Sequence, residues 1–556
     1  MRVLLVNWAL PWDGASRGGG INGYQQALAL ELSDRGHEVV TLASGQLYIP
    51  DRLPPQGDPI GTLTPGSCRA IRHPDWLGIR VFEIANSPVV APSLAQFSAP
   101  ELEADCPEIE RAASEVLQAV RPDIVHVQSL EGFGVSLIHA AKNAGARIVF
   151  SLHNYHAVCP QVYLAPGHRG VCHDAQGGRR CEGCVEAPDR DAVIQRHLRE
   201  FLERHPPAED PDQRRLDSVG GILDDISLFT RRGRRERADR PVSWPLPVLK
   251  PGEELLPAPM AGDQRGRTGR VLAERRRDGA LWTESHLLDP DLTPIGNELS
   301  PEPGPDPTSR YGVRRDAMIR AISVCDRVHA VSRFVADRFA GLGVDRSAIR
   351  TLPIGTSMVE LAEWQRELLF APPPFAQEPH RPIRLAFMGY NNWQKGLPML
   401  ADSLDLLTPE VLSRLHLAVW AFEGGSIEWR FRRLEPRLAG LEFGHGYDPH
   451  DVPWMLGGRD LGLVPSVWWD NGPQTVLEFQ ACGLPVLAAA AGGIPEMVRD
   501  GVDGVLFRSN DRFDLARSLA KLAGEPATLD RLRAGVTAPR TMREHTEELI
   551  EACYTG

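Results

Sequence analysis

Strand-length apolar blocks, each followed by a helical pattern, recur along this chain and limit its fold more than any other feature. The first block is Val3-Leu4-Leu5-Val6. A helical pattern follows from Tyr24 to Arg35, then Gly36-His37-Glu38 and a second block, Val39-Val40-Thr41-Leu42. That order is a β-α-β unit. Asp123 to Val127 and Arg147 to Leu152 read as further strands, with a helix from Val135 to Asn143 between them, stopped by Gly145. A second series runs through Ile383 to Met388, Leu415 to Ala421, Leu461 to Val464, Pro485 to Ala489 and Gly504 to Phe507. The alternation predicts parallel sheets with helices on both faces. The fold class is α/β, with two Rossmann-like doubly wound domains facing a central cleft and a long irregular insertion in the first.

Texture sets the boundaries. Residues 1–186 form the first domain, and 187–313 read as a partly disordered, partly helical insertion. Its Arg-rich runs (Arg231 to Arg235) lie beside Pro-rich stretches (Pro301 to Pro307), with short helical patterns at Val193 to Arg204 and Leu216 to Leu228. Residues 314–370 complete the first domain, with a helix from Arg314 and a strand from Arg327 to Val331. Residues 371–382, opening Ala371-Pro372-Pro373-Pro374, read as a stiff linker. Residues 383–540 form the second domain and 541–556 a C-terminal helix.

Charge and apolar runs exclude several functions. Net charge is −12, which argues against a nucleic-acid binder held by a general basic field. The longest apolar candidate, Leu484 to Ala491, falls far short of the roughly 20 residues of a membrane span. Asn7, Trp8, Pro11 and Trp12 interrupt the apolar start, and no small-residue cleavage site follows, so it reads as a strand and not as a secretory leader. Nine cysteines without an export signal fit a reducing, cytoplasmic setting.

Ligands of open α/β sheets bind beyond the carboxyl ends of strands, so the loops there hold the informative residues. Ser16-Arg17-Gly18-Gly19-Gly20 opens into a helix. Its glycines let backbone amides approach a ligand, and the helix start favours an anion; a plain glycine-rich turn is the other reading. The G-x-G-x-x-G fingerprint is absent from this loop, which argues against an oxidoreductase. His153 follows a strand and can offer a hydrogen bond to a substrate oxygen, or serve the loop alone. Phe387-Met388-Gly389 ends a strand, and Lys395-Gly396 precedes a helix: a lysine there reaches a phosphate as a point charge, while the glycine permits close approach.

The richest segment is Pro465 to Glu478. Gly472-Pro473 reads as a helix start with proline in the first turn, and Gly483 as its stop. Leu477 and Ala481 lie one turn apart on a core face, so Glu478 is free to face the cleft, where a carboxylate suits the two hydroxyls of a ribose. The backbone from Gly472 through Pro473, Gln474 and Thr475 to Val476 sits where a diphosphate is stabilised, Pro473 shaping the turn and the other residues offering amides. Asp470 either orients a sugar or holds the loop. An ordinary capped core helix would leave all of these idle.

These residues resemble the family-4 retaining glycosyltransferases of the GT-B fold over most of 1–185 and 315–556. Asp470 to Glu478 is similar to the family's paired-acid motif, with Asp470 in place of the first glutamate. By that resemblance Glu478 binds the nucleotide ribose and Lys395 stabilises the donor diphosphate. Gly19 and Gly20 match the glycine-rich acceptor-side loop, and His153 the histidine that contacts the donor sugar. Asn154 replaces the acid that usually follows this histidine, and Tyr390 follows Gly389 where an arginine is common. The run Gly492-Gly493-Ile494-Pro495-Glu496 also matches.

The resemblance implies transfer of a sugar from a UDP- or GDP-linked donor to an acceptor hydroxyl with retained configuration. Lys395, His153 and Asp470 are then the catalytic set, and Glu478, Gly472, Pro473, Gln474, Thr475, Gly389, Gly19 and Gly20 hold the donor. The expected role is polysaccharide or glycoconjugate synthesis, with a sugar or lipid-linked sugar as acceptor. No catalytic metal is expected. Cys159, Cys172, Cys181 and Cys184 either hold a structural zinc or stand as reduced thiols. Two other functions fit the same fold: a sugar-nucleotide epimerase, or a catalytically silent nucleotide-sugar-binding partner. The insertion's Arg runs, interspersed with acids, read as a solvated loop; peripheral contact with the inner membrane face is the other reading.

Overall fold

The computed structural model describes residues 1–52, 63–165, 171–204, 297 and 303–555, with the side chains of 14–17 left aside. The apolar blocks become strands of two sheets. In the first domain these are β1 (Arg2–Val6), β2 (Glu38–Ser44), β3 (Arg69–Trp76), β4 (Ile79–Ala85), β5 (Ile124–Val127), β6 (Arg147–Leu152), β7 (Arg327–Ala330) and β8 (Ile349–Thr351). They lie in the order β3-β4-β2-β1-β5-β6-β7-β8. All neighbours pair in parallel except β3 and β4.

That pair corrects the expectation of an all-parallel first sheet. Leu77 and Gly78, both at positive φ, reverse the chain between the two strands. A two-residue turn can join only antiparallel strands. Helices join β1 to β2, β4 to β5 and β5 to β6: α1 (Gly14–Asp34), α2 (Pro107–Val120) and α3 (Ser136–Asn143). In α2, Ile109, Ala112, Ala113, Val116, Leu117 and Val120 recur at helical spacing and are all buried, which lays one face on the sheet.

Of the expected insertion, the pattern at Leu216 to Leu228 and the Arg run at 231–235 lie outside the described residues. The earlier pattern is helix α4 (Arg190–Arg204), whose Val193, Ile194, Leu198, Phe201 and Leu202 pack with Tyr48, Ile49 and Val90 of the first domain. Helix α5 (Arg310–Ser323) begins four residues before the expected boundary. Its Arg314 is buried against Glu103, with Nε donating at 2.6 Å, while His156 meets the same carboxylate at 2.6 Å. The Arg314 guanidinium and the hydrogen bonds from Arg314 and His156 hold the Glu103 carboxyl down to about 2 despite its burial.

The second domain has β9 (Ile383–Tyr390), β10 (Leu415–Phe422), β11 (Gly440–Gly444), β12 (Leu461–Val464), β13 (Val486–Ala489) and β14 (Gly504–Phe507), all parallel, in the order β11-β10-β9-β12-β13-β14. The expected linker is anchored from Phe375 onward. Phe375 is buried in the second core, and Asp530 accepts from the amides of Phe375 and Ala376. Arg381 lies over the Phe375 ring and pairs twice with Asp460 at 2.8 Å.

The chain ends back on the first domain. Helix Met542–Leu549 opens with a capping box between Thr541 and Glu544. Its His545 meets Tyr24 Oη at 2.7 Å, and Tyr554 meets His126 at 2.7 Å. Among the described residues no helix is long and apolar enough to cross a membrane.

Candidate functional site

The site lies where loops at the carboxyl ends of β1, β6, β9 and β12 converge. Two glycines bring them together. Gly396, at φ +71, runs so close to Pro465 that a Cβ would fall 1.7 Å from its carbonyl oxygen. The close approach expected of Gly396 is therefore to the neighbouring loop, and Val467 N–H donating to the Gln394 carbonyl completes the stitch. Gly492, at φ +63, does the same from the other side: a Cβ there would lie 2.2 Å from the Asp470 carbonyl oxygen. In both places the left-handed backbone and the lack of room require glycine.

This stitching sets Lys395 against Asp470. Asn392 Oδ1 accepts from the Lys395 amide, and Lys395 Nζ donates to Asp470 Oδ2 at 2.9 Å. Asp470 is 4% exposed and also receives Ser466 Oγ at 3.3 Å, so its side chain holds the loop and the lysine. Lys395 keeps partial exposure and lies 5.9 Å from the Trp468 ring, on which the Tyr163 ring stands edge-on at 5.1 Å.

The paired-acid segment continues into α6 (Gln474–Ala481), counting α1 to α5 above. Pro473 occupies the N-cap, one residue earlier than the expected first-turn place, and no side chain caps the helix. Of its leading amides, that of Val476 donates to the Pro473 carbonyl at 3.1 Å, and no side chain takes those of Gln474 and Thr475. Gly483, at φ +71, ends the helix as its sequence implies.

Glu478 keeps some exposed surface, yet its Oε2 is fully buried with no hydrogen-bond partner. Burial raises its carboxyl to about 7, and Lys395 offsets only part of that rise. Beside it the rings of Tyr390, Phe422 and Tyr447 form a row with successive centroids 5.1 Å apart. Glu478 and burial together push the Tyr447 phenol well above its ordinary value. Gly389, at φ +152, stands one residue before the end of β9, beside Tyr390 at the head of this row.

The first domain meets these loops directly. Gln474 Nε2 donates to the Gly20 carbonyl at 2.8 Å; the glycine run expected as a loop lies within α1, kinked at Gly19 (φ +60), and abuts the start of α6 there. Asn471 Nδ2 donates to the Leu152 carbonyl at 3.4 Å, which sets the Asp470 loop beside His153. His153 bonds Gln128 and lies 4.6 Å from the Tyr24 ring. These contacts bring Lys395, Asp470, Glu478, Gln474, His153 and Gly20 into one neighbourhood.

Sequence reasoning missed two residues here. Glu496 accepts from the Arg333 and Phe334 amides at 2.9 Å each, capping the first-domain helix Arg333–Gly341 from the second domain. Its place in the Gly-Gly-Ile-Pro-Glu run was the available signal. Gln128 lacked any motif, and only its position just after β5 marked it.

Cys159, Cys172, Cys181 and Cys184 do come together, lining one small cavity of about 20 Å³ with Arg315. Among the described residues no group of three His, Cys, Asp or Glu is arranged to hold a metal, which favours reduced thiols over a structural zinc, the two readings of these cysteines. Burial pushes the Cys159 thiol up to about 12 and Cys181 to about 11, favouring the protonated thiols.

Comparison with known proteins gives the family and the fold. Residues 19–204 match a glycosyl transferase 4-like domain, and 382–525 match the glycosyl transferases group 1. A D-inositol 3-phosphate glycosyltransferase of Mycolicibacterium vanbaalenii is 44% identical over 97 residues, 17% of this chain and 21% of that protein. One from Stackebrandtia nassauensis is 33% identical over 159 residues, 27% of this chain and 36% of that protein. The chain thus spans between about a fifth and about a third of the length of these curated relatives. Among solved structures, sucrose-phosphate synthase from Thermosynechococcus elongatus is similar with a TM-score of 0.52 at 13% identity, covering 99% of this chain and 98% of that one. Anabaena HepE in complex with UDP and glucose is similar with a TM-score of 0.50 at 11% identity, over 100% of both chains. With two Rossmann-like domains and a family match in each, the chain belongs to the group 1 glycosyltransferases of the GT-B fold.

Proposed function

We propose that this protein transfers a sugar from a UDP- or GDP-linked donor to an acceptor hydroxyl with retained anomeric configuration. The observation that carries the reading is Glu478. A buried carboxylate oxygen without a partner, beside an uncapped helix start and a lysine, suits a ribose joined to a diphosphate. HepE, whose fold is similar, was solved with UDP and glucose.

Glu478 accepts from the ribose hydroxyls. Lys395 exchanges part of its bond to Asp470 for the diphosphate, joined by amides of Gln474 and Thr475. Asp470 keeps the lysine aimed. The bond from the sugar's anomeric carbon to the phosphate oxygen breaks while a bond to the acceptor oxygen forms on the same face. The acceptor proton passes to the leaving diphosphate, and Lys395 stabilises the developing charge. His153, held at the sheet edge, contacts the sugar.

The acceptor is a sugar or a lipid-linked sugar, in polysaccharide or glycoconjugate synthesis. No disulfide joins cysteines among the described residues, which fits a cytoplasmic setting, with peripheral contact at the inner membrane face if the acceptor is lipid-linked.

The test is a thermal-shift screen of nucleoside diphosphates and their sugars, followed by label transfer from the donor that stabilises most. Label in an acceptor, lost in Lys395→Ala, supports the reading. Normal turnover by folded Lys395→Ala, or isomerised donor without transfer, overturns it.

A further inference from the structure

Strands β5 and β6 are parallel neighbours, with Val127 opposite Phe150. The residues that follow them, Gln128 and His153, meet at the carboxyl edge of the first sheet, where His153 Nε2 lies 2.7 Å from Gln128 Oε1. An amide oxygen only accepts, so the proton of this bond is on Nε2. Gln128 is 1% exposed, and its other polar atom, Nε2, is buried without a partner. An orphaned buried N–H is the rarer kind of unsatisfied group, and it marks a place where a ligand oxygen is expected.

The surroundings keep His153 neutral. Tyr24 of α1 lies 4.6 Å away by ring centroids and His329 of β7 lies 6.1 Å away; His126 and His545 are close enough to interact electrostatically. Burial, with His329 adding to it, pushes the imidazole down to about 3. A neutral ring protonated at Nε2 carries its lone pair on Nδ1.

We propose that Gln128 is a positioning residue, which fixes His153 in the Nε2–H tautomer so that Nδ1 accepts a hydrogen bond from a hydroxyl of a neutral sugar. The proposal rests on the reading of the cleft as a nucleotide-sugar site. It names the polarity of one contact: the ligand group at Nδ1 is a donor, such as a hydroxyl, and not a phosphate or carboxylate oxygen.

Two experiments test it separately from the activity. In the full chain labelled with ¹⁵N-histidine, with His153→Asn identifying the signal, NMR should show Nε2 protonated and Nδ1 bare near pH 7.5. A ring protonated at Nδ1 overturns the proposal whether or not the protein transfers sugar. In the transfer assay, Gln128→Leu should lower kcat/KM about tenfold, the scale of one misdirected hydrogen bond. Gln128→Glu keeps the acceptor but favours the imidazolium, so activity should fall on the acid side and recover as pH rises, a limb absent from wild type. Unchanged kinetics in Gln128→Leu, or no such limb in Gln128→Glu, refutes it. Wild-type protein that shows the expected tautomer yet turns over no donor places the failure in the functional reading instead.

Discussion

Replacing Glu478 with Gln should separate stability from binding in opposite directions. The ordinary carboxyl value of 4.5 rises to about 7 at this position. The folded protein therefore holds this proton more tightly than the unfolded chain. Its stability is undiminished below pH 4.5, falls as pH rises, and reaches its full cost above pH 7. At about 1.36 kcal/mol for each pH unit, that cost is roughly 3 kcal/mol at pH 8.5, or about 2 allowing for the exposed part of the side chain. Glutamine carries no charge to desolvate, so Glu478→Gln should raise apo stability at pH 8.5 by about 2 kcal/mol and leave it nearly unchanged at pH 5. Two charge-assisted hydrogen bonds to ribose are lost with the charge, about 3 kcal/mol, which weakens nucleotide binding roughly 100-fold. Urea unfolding at both pH values and calorimetric titration with UDP and GDP give the two numbers. A variant destabilised at pH 8.5 would refute the burial argument, and one with unchanged nucleotide affinity would refute the ribose assignment.

Other consequences can be measured on the same preparations. Lys395→Ala should abolish turnover and lower stability by about 1–3 kcal/mol, since Asp470 is left buried with Ser466 alone; adding Asp470→Asn should restore stability but not activity. Glu496→Ala removes the cap on helix Arg333–Gly341 and should cost about 1–2 kcal/mol in chemical unfolding, with a lower kcat/KM. Burial pushes His153 down to about 3 and His329 to about 4, so the unfolded chain takes up protons first as pH drops below 6.5. At pH 5 these two should together cost about 4 kcal/mol relative to pH 8, seen as a lower urea midpoint that His329→Gln partly relieves.

Central strands were legible because burial on both faces writes a continuous apolar run: Leu461–Val464, buried at every position, stands where its sequence places it. Strands β3, β4, β8 and β11 were not. Three of them are sheet edges, and β4 adjoins one. Arg69, Arg72 and Asp75 interrupt β3, β8 has three residues, and β11 begins and ends in glycine. In the site, Lys395, Glu478 and His153 were legible because each sits just past a strand or on the helix that follows. The Lys395–Asp470 pair was not, because it joins loops 75 residues apart through Gly396 and Gly492. Gln128 acquires its partner from the β5–β6 register, which composition does not report.

The central claim is that the cleft between Lys395 and Glu478 holds a nucleoside diphosphate. A crystal structure of the full chain with UDP or GDP tests it most directly. Ribose hydroxyls should lie within hydrogen-bond distance of Glu478, and a phosphate oxygen at Lys395 Nζ. A nucleotide bound elsewhere, with Glu478 Oε2 still unpartnered and Lys395 still on Asp470, would contradict it.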